Sequence, residues 1–329
     1  MVTDVTKIIL HIGTEKTGST SIQSNLKANR KLLLEREIWY SKRLGNLLWQ
    51  LVRWPQRYSQ ARPHIEKILE TAAVYDTILC SAERLHSRLK SRELIEDLKI
   101  LLEKFGLEPT LVIVYLRNPA DIANSMASTA AQHNKSLQQE PLSPYLDLIC
   151  DHRSTMKNWA GVFGGSVVTP RVFESSSFIA GSLTTDFLAA AGIPDYEDFV
   201  QLPRANAQIS HTGITVMNHV NDVLARDHTY LNKEDLSRLR QFVYRNLVEP
   251  FFNSPRYSQP DYVWRYYDRT FADSNEWVRQ EYFPGRPTLF NPKTPPPATQ
   301  PEISDEGAAV VAASLVSAAV ALQENSGNQ

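Results

Sequence analysis

The sequence predicts an α/β fold of three layers, a central parallel sheet between helices, followed by a helical C-terminal part. Three observations predict it. Short apolar, β-branched runs at 7–12, 76–82, 110–116 and 167–173 alternate with helix-periodic segments over about 190 residues. Two of these runs end in loop signals, Gly13 and Asn118-Pro119, directly before a helical segment, as right-handed βαβ units require. Beyond residue 205 only helical patterns remain.

The elements follow in order. KIILHI at 7–12 is a short, wholly apolar run ending at Gly13, the mark of a strand buried on both faces. Ile22, Leu26, Leu33 and Leu34 recur at helical spacing, so one amphipathic helix is expected over 20–34. A helical stretch at 61–73 precedes the strand at 76–82. Residues 91–105 form a helix with Leu94, Leu98, Leu101 and Leu102 on one face and Gly106 just past its end. TLVIVYL at 110–116 is the clearest strand; Asn118 and Pro119 then supply a cap and a first-turn proline for a helix through Ser128. The strand at 167–173 contains Pro170, which places it at an edge or makes that residue a strand end; a helix at 185–193 follows. Later helices are expected at 211–226, 232–248 and 262–283, the last with Trp264, Tyr266, Tyr267, Phe271 and Trp277 as core aromatics.

Three segments make up the expected domain layout. Residues 1–285 form the domain, with an α/β core at 7–200 and a helical portion at 205–285. Residues 286–303 form a Pro-rich linker of polyproline II character, and 304–329 a C-terminal helix and tail. The apolar stretch 308–322 is short, rich in small residues and interrupted by Ser314 and Ser317, so it reads as a helix packed on the domain and not as a membrane span.

Composition narrows the function. Thirty-five Lys and Arg against 36 Asp and Glu give a net charge of −1, which argues against a nucleic-acid binder. Two cysteines, Cys80 and Cys150, are too few for a disulfide scaffold, and no Cys/His spacing suits zinc. The first residues, with Asp4 and a very short apolar run, do not read as an export signal.

The segment HIGTEKTGSTSIQ at 11–23 carries the most chemistry. Small and hydroxylated residues between a buried strand and a helix start offer backbone N–H groups to an anion. Gly13 and Gly18 have the spacing of the nucleoside-triphosphate loop G-x-x-x-x-G-K-[ST], and Thr20 holds its hydroxyl position. Its lysine slot holds Ser19 instead; the lysine is Lys16, two residues before the second glycine.

This K-x-G-[ST]-T pattern resembles the 5′-phosphosulfate loop of sulfotransferases that use 3′-phosphoadenosine 5′-phosphosulfate (PAPS). The resemblance extends to YLRNPADIANSMAS, where Arg117 ends a strand and Ser125 follows eight residues on. Together these two motifs imply a P-loop NTPase-like sulfotransferase fold. Independently of the likeness, an arginine at the carboxyl end of a parallel strand is placed to fork onto a phosphate. A weaker likeness at 171–193 puts Phe173, followed by Glu174, where the family has an aromatic near the adenine. Further matches are the S-x-E of CSAERL, the R-x-N of PRAN at 203–206 and the helix ending SNEWVRQEYF. The layout is most similar to bacterial sulfotransferase-like proteins, over roughly residues 7–285.

The resemblance implies a sulfuryl transfer from PAPS to a hydroxyl or amine, without a metal. Thr14, Thr17, Gly18, Ser19, Thr20, Arg117, Ser125 and Phe173 would bind the donor, and Lys16 would stabilise the leaving 5′-phosphate. Glu83, following the strand at 76–82, is the first candidate for the general base, with His86, His11, Glu35 and Glu37 behind it. Residues 127–145, including His133 and Lys135, resemble an acceptor-side lid. The expected acceptor is a carbohydrate or glycolipid, and the expected location cytoplasmic, with a peripheral membrane contact open. A nucleoside-phosphate kinase or NTPase, or a non-catalytic nucleotide or glycan binder, are the competing readings.

Overall fold

A computed structural model describes residues 6–132, 142–202, 209–252, 256–294 and 300–326, with side chains to 321. The chain divides into two compact units. The first, built from residues up to 118, 145–205 and 271–292, carries a five-stranded sheet in the order β2-β3-β1-β4-β5. Its strands are β1 (Thr6–His11), β2 (Ile38–Tyr40), β3 (Thr77–Ser81), β4 (Leu107–Leu116) and β5 (Val168–Val172), all parallel. The α/β class expected from the sequence is the class observed.

Alternation along the strands creates the layers. Ile8, Leu10, Ile78, Cys80, Val112 and Val114 point to one side, where they pack with Leu44 and Leu48 of α3 (Lys42–Arg53), Leu98 and Leu102 of α6 (Arg92–Lys104) and Trp159 of α9 (His152–Phe163). Ile9, Leu79, Ile113 and Tyr115 point to the other, against Ile22 and Leu26 of α1 (Ser19–Ala28) and Phe187 and Leu188 of α10 (Leu183–Ala190). Pro109 lacks an N–H for the ladder, and the β1–β4 register slips there, with Ile8 opposite Pro109 but Ile9 opposite Leu111. Pro170 does sit on an edge strand, β5.

The structure departs from the sequence expectations at four places. The helix expected over 20–34 is two helices, α1 and α2 (Arg30–Glu35). Asn29 between them is buried and spends its side chain on Val200, accepting from its N–H at 2.8 Å and donating to its carbonyl at 2.9 Å. β2 and α3 were not anticipated; Glu37, at φ 57°, turns the chain into that three-residue strand. The helix expected over 262–283 is likewise two, α13 (Asp261–Thr270) and α14 (Ala272–Tyr282), and these fall in different units. Trp264, Tyr267 and Phe271 are buried, while Tyr266 and Trp277 are half-buried.

The fourth departure is in the expected linker. Leu289 and Phe290 are buried in the first unit's core. Arg286 donates to Ser177 Oγ at 2.9 Å and to Glu174 at 3.1 Å, and the Asn291 N–H donates to Glu174 at 2.8 Å. Residues 286–291 are therefore a strap fastened by Glu174, the residue after Phe173.

The second unit is helical. It comprises α7 (Pro119–Gln132), α11 (His211–Asp227), α12 (Lys233–Val243), α13 and α15 (Asp305–Ser326). Ser210 caps α11 by accepting from the Gly213 N–H at 2.9 Å, and Asn232 caps α12. Ala308, Ala312, Val316 and Ala319 form one fully buried stripe of α15, packed on α11 and α12. Three of these four are alanines, so the helix axes approach closely and leave no spare volume. Ala312→Leu is expected to lower stability by about 1–3 kcal/mol; chemical denaturation of the full chain checks it, and an unchanged midpoint would refute this packing.

Candidate anion-binding site

β1 delivers the chain to the carboxyl edge of the sheet, and α1 starts seven residues beyond His11's neighbour Ile12, at Ser19. Between them Gly13, Lys16 and Gly18 all take left-handed backbone angles, φ 52°, 65° and 73°. Both glycines are needed for space as well. A Cβ on Gly13 would stand 2.6 Å from Ser19 Oγ and 3.2 Å from the Glu83 backbone. A Cβ on Gly18 would stand 2.5 Å from Leu183 and 3.3 Å from the Phe173 ring.

The loop is tied internally and from the side. Thr17 donates its hydroxyl to the Thr14 carbonyl at 2.6 Å. Arg117, at the end of β4, donates from Nη1 to the Lys16 carbonyl at 2.5 Å, with its guanidinium 5.4 Å from the centre of the Phe173 ring. The hydroxyls of Thr14 and Ser19 are buried without a hydrogen-bond partner among the described residues. Such groups are costly to leave unmade. They stand beside the first turn of α1, whose leading N–H groups have no intrahelical acceptor. The arrangement suits a bound oxyanion.

Lys16 is half-buried, and burial draws its ammonium below the usual lysine value; Glu83 and Glu15 oppose that shift, while Arg117 adds to it. Glu83 is half-buried at the start of α5 (Arg84–Arg88). Burial pushes its carboxyl up, Glu15 adds to that, and Lys16 works against it. Lys16, Glu83, Arg117 and Phe173 are thus brought together in the first unit, with Thr14, Thr17, Gly18 and Ser19 of the loop. Thr20 is exposed on α1. Ser125 is half-buried on α7 of the second unit. His133, Lys135 and the PRAN segment lie outside the described residues.

Three histidines are fully buried. His11 is fully buried, hydrogen-bonded through Nδ1 to Ser81 Oγ at 2.7 Å, with Phe187 and Tyr115 against its ring. His86 is fully buried on α5, 3.1 Å from Thr155 Oγ1 and 3.0 Å from Lys90 Nζ. His152 donates from Nε2 to the Arg117 carbonyl at 2.7 Å. Glu15, Lys90, Tyr145 and His152 were not singled out in the sequence. The signals available were Glu15's place inside the loop and Lys90's spacing of four from His86.

No family model matches the sequence, and no curated protein matches it. Among solved structures, the chain is similar to a sulfotransferase from Alicyclobacillus acidocaldarius, with 12% identity and a TM-score of 0.41 over 69% of this chain and 97% of that one. No helix among the described residues is long and apolar enough to cross a membrane. The described residues hold no group of three or more His, Cys, Asp or Glu side chains able to bind a metal.

Burial holds the three histidines neutral, lowering His11 from 6.5 to about 3, and His86 and His152 to about 4. The unfolded chain therefore takes up protons first as pH falls, and stability drops from pH 6.5 downward through about 4. Glu83 and Asp268, both raised by burial, act in the opposite sense but are two carboxyls against three imidazoles. Urea unfolding at pH 7 and pH 5 should show a lower midpoint at pH 5. Equal midpoints would contradict neutral burial of these rings.

Proposed function

We propose that this chain is a sulfotransferase that moves a sulfuryl group from PAPS to a hydroxyl, or an amine, of a carbohydrate or glycolipid acceptor in the cytoplasm. The observation that carries the reading is the loop itself. Lys16 sits on a left-handed turn at the sheet's carboxyl edge, its carbonyl held by Arg117, beside the hydroxyls of Thr14 and Ser19, which have no partner among the described residues. The order K-x-G-S-T followed by a strand-end arginine agrees with the sequence likeness.

In this proposal the bond between sulfur and the 5′-phosphate oxygen breaks as the acceptor oxygen bonds to sulfur. The leaving electron pair stays on that phosphate oxygen, where the Lys16 ammonium meets the charge. Thr14, Thr17, Gly18, Ser19 and Thr20 hold the 5′-phosphate, and Arg117 the 3′-phosphate. Phe173 stacks on the adenine. Glu83 accepts the acceptor's proton; a carboxyl raised by burial is a better base than an exposed one. His86, fully buried, supports the loop from behind and touches no substrate.

The test is a thermal shift with the desulfonated donor, adenosine 3′,5′-bisphosphate, against ATP with Mg²⁺. The bisphosphate is expected to stabilise the chain, by about 2.7 kcal/mol at one hundred times its Kd. Lys16→Ala should lower kcat by roughly 10²–10³, and Arg117→Ala should chiefly weaken donor affinity. Stabilisation by ATP-Mg²⁺ alone would favour a kinase or NTPase and overturn the proposal. Bisphosphate binding with no transfer to any sugar in an acceptor panel would mark a binding module instead.

A further inference from the structure

The phosphate loop rests on a buried chain of polar groups that the proposed chemistry does not use directly. Glu15 precedes Lys16, yet its side chain turns inward and is 13% exposed. Oε1 accepts from the Tyr145 hydroxyl at 2.8 Å, and Oε2 lies 3.7 Å from His86 Nδ1. The other ring nitrogen of His86 lies 3.0 Å from Lys90 Nζ. Thr155 Oγ1 is 3.0 Å from the same ammonium and donates to the Asp151 carbonyl at 3.1 Å.

Hydrogen-bond chemistry fixes the direction of this chain. His86 Nε2 lies between Lys90 Nζ at 3.0 Å and Thr155 Oγ1 at 3.1 Å; an ammonium has only donors, so toward Lys90 this nitrogen is the acceptor. A neutral imidazole accepting at Nε2 carries its proton on Nδ1, the nitrogen facing Glu15. We infer that His86 and Lys90 are positioning residues: the Lys90 ammonium sets the His86 tautomer, His86 turns its Nδ1–H toward Glu15, and Glu15 thus held keeps Lys16 in its left-handed turn. The consequence for sulfuryl transfer rests on the function proposed above; the tautomer does not.

The charges around these groups agree. Burial brings Lys90 down to about 8, against the pull of Glu15, Asp151 and Cys150. His86 is lowered by burial and by Lys90 to about 4, so it remains neutral, with Glu15 working the other way. At Glu15 burial raises the carboxyl, but His86 and the hydroxyls of Ser87 and Tyr145 outweigh it and hold the group below the usual value. His152, across α9, is also lowered to about 4. Lys90 is therefore the group of this chain that changes charge near pH 8. Above that, His86 Nε2 can carry the proton and donate to Thr155, which removes the Nδ1–H from Glu15.

Nitrogen-15 NMR of histidine-labelled full-length protein tests this without any ligand. His86 is expected as the Nδ1–H tautomer at pH 7, shifting toward Nε2–H as pH passes about 8. Lys90→Met should show Nε2–H already at pH 7, with moved amide resonances for Lys16 to Gly18. A wild-type His86 protonated at Nε2 at pH 7, or unmoved loop amides in the variant, would overturn the inference. In sulfuryl transfer, wild-type kcat should decline above pH 8. Lys90→Met should lack that decline and run about tenfold lower at pH 7, and Lys90→Arg should keep the rate and also lack the decline. A decline that persists in both variants belongs to another group, such as Lys16, and overturns the role. Absence of bisphosphate binding in the wild type would sink the sulfotransferase reading while leaving the tautomer result to stand.

Discussion

The bond from the Arg117 guanidinium to the Lys16 carbonyl is the interaction on which the site's geometry depends. Lys16 is a non-glycine residue in left-handed conformation, which costs about 1–2 kcal/mol. A charge-assisted hydrogen bond contributes a comparable amount in the opposite direction. Arg117 in turn is oriented by two neighbours, the Phe173 face under its guanidinium and His152 on its own carbonyl. Since Arg117 terminates β4 and the loop leaves β1, pairing of these two central strands sets the distance that the bond must span. Sheet register thereby becomes loop conformation.

Electrostatics follow from where the loop is buried. Lys16, Arg117 and Lys90 meet Glu15 and Glu83 in one region of the first unit. Two carboxylates so close to each other cannot behave alike: Glu15 collects hydrogen bonds and falls below its ordinary value, whereas Glu83, raised first by burial and next by Glu15, rises. Environment alone has pushed the same type of side chain in opposite directions, Glu15 toward the ionised form and Glu83 toward the neutral one.

Much of this was legible in the sequence where the signal is local. KIILHI and TLVIVYL are apolar on both faces because they are central strands, and Gly13 and Gly18 mark turns that no Cβ could enter. The break at Asn29 was not legible, because it is made by a bond to Val200, 171 residues away. β2 is three residues long, too short to show a period of two. The strap at 286–291 reads as a proline-rich linker by composition, and only its partner Glu174 makes it part of the core. Lys90 and Glu15 look like ordinary surface charges until α5 folds them onto His86.

The position of the lysine within the loop has a steric cause as well as a chemical one. Ser19 occupies the slot that holds lysine in the nucleoside-triphosphate loop. Here that side chain is 3% exposed, with its hydroxyl in the space beside Gly13 that even one added carbon would overfill. A Cβ on Gly13 would stand 2.6 Å from that hydroxyl and 3.2 Å from Glu83, so the loop has no spare room between Gly13 and Ser19. The cation of this loop is Lys16, the residue whose backbone is clamped by a second cation, Arg117. That clamp explains why a lysine tolerates a left-handed angle there.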